Sequence, residues 1–142
     1  MALSFKYKPV KLQSGKTIYR PIIPITFNGN SENIDIFGLL DSGSDVTIIP
    51  IDLAEVFGVK FLGEDKMGGI TNIKLKANQR IIPVIFGKHH EKFTFKIHVF
   101  VPIDKNFNKI IIGRDGFFDQ FKIIFHQSKK RIEFKKINPK FL

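Results

Sequence analysis

The chain has 142 residues, 43% of them hydrophobic, with no cysteine and a formal net charge of +10. That length holds one domain with its own core and excludes two ordinary ones, and the lack of cysteine excludes a disulfide framework. No run approaches the roughly 18 apolar residues of a membrane helix, and the stretch containing Lys6 and Lys8 has no apolar core of signal-peptide length, so a soluble cytoplasmic protein without a membrane partner is expected.

Taken in order, Leu3 to Leu12 and Thr17 to Phe27 are rich in β-formers, with Gln13-Ser14-Gly15-Lys16 between them as a turn. Residues 1–30 therefore read as an N-terminal hairpin. Pro9, Pro21 and Pro24 cannot donate to a ladder, which predicts edge strands or bulges there. A second turn at Asn28-Gly29-Asn30-Ser31 leads into a strand over Ile34 to Leu40. That strand ends abruptly on Asp41. Ser42 and Gly43 give turn chemistry, and a second apolar run, Val46-Thr47-Ile48-Ile49, follows at once. A carboxylate between two buried strands is costly unless it is paired or neutralised. The bland alternative is a surface hairpin with an Asp-Ser-Gly turn.

Asp52 and Gly58 bracket a short helical turn after Pro50, and Val59 to Leu62 return to strand. Gly63 to Ala77 read as a hairpin with Gly68 and Gly69 at its tip. Arg80 to Phe86 and Glu91 to Val101 form a strand pair around Gly87-Lys88-His89-His90. Adjacent histidines on a strand point to opposite faces, so no metal site is expected, and His98 and His126 are expected to pack or face solvent. Ile110-Ile111-Ile112-Gly113 is an apolar strand, followed by a helical segment over Gly116 to Gln120 for which Asp115 is a cap candidate. The chain then runs into a hairpin over 121–138, with Phe121, Ile123 and Phe125 sharing one face by period two.

Several of these segments together resemble one family. Leu40-Asp41-Ser42-Gly43-Ser44 is similar to the active-site loop of aspartic proteases: apolar residues, then Asp-Thr/Ser-Gly, then Ala or Ser. Met67-Gly68-Gly69-Ile70 resembles the flap tip of the retroviral type. Ile110 to Asp115 resembles the apolar-apolar-Gly segment that passes behind the catalytic loop. The matches fall in the family's order and span roughly residues 16 to 137. They imply an all-β, single-domain, retropepsin-like closed barrel with a flap hairpin and one short C-terminal helix. The full hairpin at 121–138 resembles DNA-damage-inducible-type relatives more than the single closing strand of the viral enzymes, and the resemblance places it in the dimer interface.

The resemblance also implies roles. Asp41 is the catalytic residue. One Asp-Ser-Gly per chain implies a homodimer, since the chemistry needs two carboxylates about 3 Å apart that share one proton. The implied activity is aspartic endopeptidase cleavage of extended, largely apolar peptide segments, without metal or cofactor. Ser42 is implied to bond across the dimer, Gly43 to let its N–H approach Asp41, and Ser44 can donate to the Asp41 carboxylate. Asp45 and Arg114 match a buried ion pair that ties the loop to the strand ending at Gly113. Met67, Gly68, Gly69 and Ile70 are implied to close over substrate, although Thr71-Asn72 replace further flap glycines. Two other readings compete. One is a protease-fold dimerisation or peptide-binding module without useful catalysis. The other is nucleic-acid binding, which rests on charge alone, because the lysines are spread along the chain and alternate with Ile132 and Phe134 near its end.

Overall fold

Ile23, Ile25 and Phe27 alternate along one strand with Ile22, Pro24 and Thr26, and only the first set is fully buried. That period of two recurs throughout a computed structural model of the chain, which describes residues 3–29, 32–56, 64–68 and 74–137, with 64–68 and 74–78 described by their backbone alone. Twelve strands are present among these residues: β1 (Leu3–Lys6), β2 (Lys8–Lys11), β3 (Thr17–Arg20), β4 (Ile22–Asn28), β5 (Asn33–Leu40), β6 (Thr47–Ile48), β7 (Glu64–Gly68), β8 (Lys74–Lys88), β9 (Glu91–Pro102), β10 (Ile111–Ile112), β11 (Phe121–His126) and β12 (Arg131–Lys136). A short helix, α1 (Ile51–Val56), follows β6.

The largest sheet has the order β4-β5-β10-β6-β9-β8-β7, and a further pairing of β4 with β8 (Thr26 opposite Ile85, Phe27 opposite Val84) joins its two sides. The strands from β4 round to β8 thereby form a closed six-stranded barrel. Ile36 and Leu40 of β5, Ile82, Val84 and Phe86 of β8, and Ile97, Val99 and Val101 of β9 are buried. Closure removes the exposed ladder edges that would otherwise pair with other chains. Pro24 fits because β4 has no second partner at that point: its pairing with β8 covers only Thr26 and Phe27.

The N-terminal segment departs from the single hairpin that the sequence predicts. Only β2 and β3 form one, around Gly15 at φ +86°. β1 instead joins β12 and β11 in a separate three-stranded sheet, with Leu3 opposite Phe134 and Phe5 opposite Ile132. The cause is apolar. Ile132 and Phe134 present a face that must be covered, and Leu3, Phe5 and Tyr7 recur at the same period and bury against the same core. Here Phe86 lies 4.9 Å from Phe134, 5.1 Å from Phe117, and 5.4 Å from both Phe5 and Phe121, ring centre to ring centre. Each such ring contributes about 1.5–3 kcal/mol by burial alone.

The expected C-terminal helix is one 3-10 turn, Phe118–Gln120. Its polar tie comes from Asp119, whose carboxylate accepts from the Gly116 N–H at 3.0 Å. Asp115, the expected cap, faces His98 instead at 3.3 Å. His98 is therefore neither simply packed nor solvated: its Nε2 is 2.8 Å from the Gln79 Oε1 and its ring lies tilted beside Phe100. The predicted strand over Val59 to Leu62 lies outside the described residues.

Candidate active site

The site begins with the end of β5. β10 lies parallel to it, Ile111 beside Leu39 and Ile112 beside Leu40, and also pairs with β6 at Ile48. A two-residue strand thus sits between the strand that enters the Asp41 turn and the strand that leaves it. Backbone bonds continue the clamp past both strand ends. Leu39 N–H donates to the Ile110 carbonyl (2.9 Å), Leu40 to Pro21 (2.9 Å) and Asp41 to Ile112 (3.0 Å). On the other side of the turn, Arg114 N–H donates to Ser44 (2.9 Å) and Asp115 to Asp45 (2.8 Å).

Within the turn, the Ser44 N–H closes back on the Asp41 carbonyl at 3.2 Å, and the Gly43 N–H donates to Asp41 Oδ1 at 2.9 Å. Asp41 is half-buried, and Ser42 and Gly43 are exposed. A carboxylate held by a backbone donor on a rigid frame can act as a positioned general base, or, protonated, as an acid.

Two expectations are corrected. Ser44 does not donate to Asp41: its hydroxyl gives its one proton to the Val46 carbonyl, two residues on, at 2.7 Å. Arg114 does bond Asp45, but the pair is at the surface of the chain, with the arginine side chain 54% and the aspartate 79% exposed. With both side chains more than half exposed on the chain, the backbone bonds carry more of the tie between loop and strand than this ion pair does.

Gly113 is required by contact. A Cβ there would lie 2.1 Å from the Val46 carbonyl oxygen and 2.4 Å from its carbon. Its N–H donates to Thr47 Oγ1 at 3.2 Å, and Thr47 is fully buried. Sequence reasoning passed over Thr47. The available signal was a lone hydroxyl in the apolar run Val46 to Ile49, since a buried hydroxyl needs a partner.

In the predicted flap, β7 and β8 pair antiparallel from Glu64 opposite Asn78 to Met67 opposite Leu75 and Gly68 opposite Lys74. Gly69 and Ile70 lie outside the described residues. Among the described residues no group of three or more His, Asp or Glu is placed to hold a metal, and no helix is long and apolar enough to cross a membrane.

A closed barrel with an Asp-Ser-Gly turn braced by an apolar-apolar-Gly strand is the retropepsin-like fold. The family model for retroviral aspartyl proteases matches residues 17–124, and the chain belongs to that family. Among solved structures it is similar to a retropepsin-like aspartic protease from Rickettsia conorii (16% identity, TM-score 0.59), covering 94% of this chain and 91% of that one. It is also similar to the retroviral protease-like domain of Ddi1 from Leishmania major (16% identity, TM-score 0.50), covering 87% of this chain and 98% of that one. No curated protein matches it by sequence.

Proposed function

We propose that this chain is an aspartic endopeptidase that acts as a homodimer, with one Asp41 from each copy. The observation that carries this reading is the bracing of Asp41: its N–H is held by Ile112, its carboxylate by the Gly43 N–H, and the rest of its turn by the backbone of 114–115. A second copy supplies the second carboxylate, because the chain has a single Asp-Ser-Gly. The pair shares one proton. The ionised Asp41 takes a proton from water as the water oxygen bonds to the peptide carbonyl carbon, while the protonated Asp41 gives its proton to the carbonyl oxygen. The resulting diol collapses as one hydroxyl returns its proton to the carboxylate that protonated the carbonyl oxygen and re-forms C=O; the C–N bond breaks, and the proton taken from water passes to the departing nitrogen.

The neighbouring residues have roles in this reading. Ser42, exposed at the tip of the turn, bonds the opposite loop. Gly113, Asp45 and Arg114 support the loop from behind. Met67, Gly68, Gly69 and Ile70 close over an extended, largely apolar peptide. The β11–β12 hairpin meets its counterpart in the dimer, a role supported by β11 being the outermost strand of its sheet among the described residues and by Phe125, 39% exposed on it.

Digestion of an apolar peptide library tests the activity. The parent cleaves, and Asp41→Asn, with the same dimer fraction in sedimentation, does not. Activity that persists undiminished in that variant, or in a dilution series where the protein has become monomeric, rules the mechanism out.

A further inference from the structure

The positive charge, dispersed along the sequence, converges at one place in the fold. A groove of about 440 Å³ is lined by Lys6, Lys8, Lys88 and Arg131 over a floor that includes Ile22 and Pro24, and no carboxylate lines it. Three of these four cations rest on neutral partners. The Lys88 Nζ lies 4.1 Å from the centre of the Phe5 ring and donates to the Ser4 carbonyl, and the Lys8 Nζ lies 4.2 Å from the centre of Phe37. Arg131 donates to the Ser4 hydroxyl at 3.1 and 3.3 Å. A ring or hydroxyl positions a cation without cancelling its charge. Two carboxylates are near in register. Glu133 stands opposite Ser4, but its carboxylate faces His126 at 3.5 Å, and Glu91 stands opposite Lys88. Four like charges gathered in one groove repel each other until an anion enters.

The groove's place in the fold narrows the anion. Ile22 stands opposite Leu39 and Pro24 opposite Phe37 in the β4–β5 ladder, and Leu39 is two residues before Asp41. The floor therefore continues the sheet face that leads to the site. Phe5, the ring that lines the groove, is buried and already carries Lys88 over a face, so it gives a nucleic-acid base no stacking platform. We propose that this groove binds an acidic segment of a protein substrate, adjoining the residues presented to Asp41. The proposal rests on the protease reading. An extended segment places alternate side chains about 6.6–6.8 Å apart on one side, so two or three Glu or Asp residues suffice to meet the four cations.

The test uses two fluorogenic peptides with one cleavable apolar core, one tailed with Glu and Asp and the other with Gln and Ser. At low salt the acidic tail raises kcat/KM by about tenfold, chiefly through KM, as expected of several exposed charge pairs acting together. The advantage fades towards 0.5 M salt by screening. The double variant Lys6→Glu/Lys8→Glu loses it and cleaves the neutral peptide as the parent does. Equal cleavage of the two peptides by the parent, or an advantage that survives the double variant, overturns the proposal. So does a single-stranded RNA that binds the parent more tightly than the acidic tail and is released by the same double variant, which assigns the groove to nucleic acid. If neither peptide is cleaved, the protease reading fails on its own, and anisotropy of the labelled acidic peptide decides the groove. Binding that the double variant abolishes sustains the groove as an acidic-peptide site, and binding it leaves unchanged refutes it.

Discussion

Gly113→Ala isolates the contact on which the Asp41 turn depends. A methyl group there would stand 2.1 Å from the Val46 oxygen, 2.4 Å from its carbon and 2.8 Å from its nitrogen. All three are backbone atoms, so no side-chain rotation relieves them, and the strand must part from the turn by about 1 Å. Overpacking of this kind costs about 1–3 kcal/mol. The parting also stretches the 3.2 Å bond from the Gly113 N–H to Thr47, whose fully buried hydroxyl has no access to water as a substitute. That adds about 1–3 kcal/mol. A loss of roughly 4 kcal/mol is expected, a large share of the about 5–15 kcal/mol that holds an ordinary domain together. With a urea m-value of about 2 kcal/mol/M the midpoint falls by roughly 2 M. Gly15→Ala is the control. Gly15 has φ +86° with nothing within 4 Å of an added Cβ, so it carries only backbone strain of about 1–2 kcal/mol. Equilibrium urea unfolding followed by circular dichroism compares them. If Gly113→Ala costs no more than Gly15→Ala, the turn is not held by this contact.

Three further outcomes follow from the geometry. Arg114→Ala is expected to cost under about 1 kcal/mol in urea at moderate salt, since both partners are more than half exposed; a loss of 3 kcal/mol or more contradicts a surface pair. Ser44→Ala removes the 2.7 Å bond to Val46 and about 1 kcal/mol of stability, and leaves both limbs of the pH–rate profile in place, because its hydroxyl does not face Asp41. A shift of either limb beyond about half a pH unit would reinstate a bond to the carboxylate. The profile of kcat/KM on one peptide is expected to be bell-shaped with an acidic optimum, roughly pH 3–6, because a shared proton is lost on one side and a second is gained on the other. An optimum above about pH 8 rules out the shared-proton mechanism.

The strands were legible because their signal is local: runs of β-formers with turn residues between them; the closed barrel entered only as what the resemblance of the Asp41 loop and the segment ending at Gly113 implies. Three features depend on distance and were not legible. Leu3 to Lys6 pairs with a strand almost at the far end of the chain, a choice set by which apolar face remains uncovered and not by the nearest turn. Ser44 stands three residues from Asp41, and that nearness in the chain does not reveal that its hydroxyl turns to the Val46 carbonyl. The exposure of Asp45 and Arg114, 69 residues apart, depends on where the fold places both side chains and not on their types. The gathering of Lys6, Lys8, Lys88 and Arg131 is a fourth case, since their spacing in the chain says nothing of their nearness.

The aromatic cluster has a consequence for folding kinetics. Phe5, Phe86, Phe117, Phe121 and Phe134 meet in one place although the first and last are separated by most of the chain. Contacts of such long sequence separation form after large loops have closed, which places the domain with slow β-folders, on the scale of milliseconds to seconds. Until then the rings stay in water and favour association between chains. The Asp41 turn shares this timing, because its clamps come from 110–115. An unfinished chain therefore has no braced carboxylate, and the Asp41 turn is set only as the barrel closes.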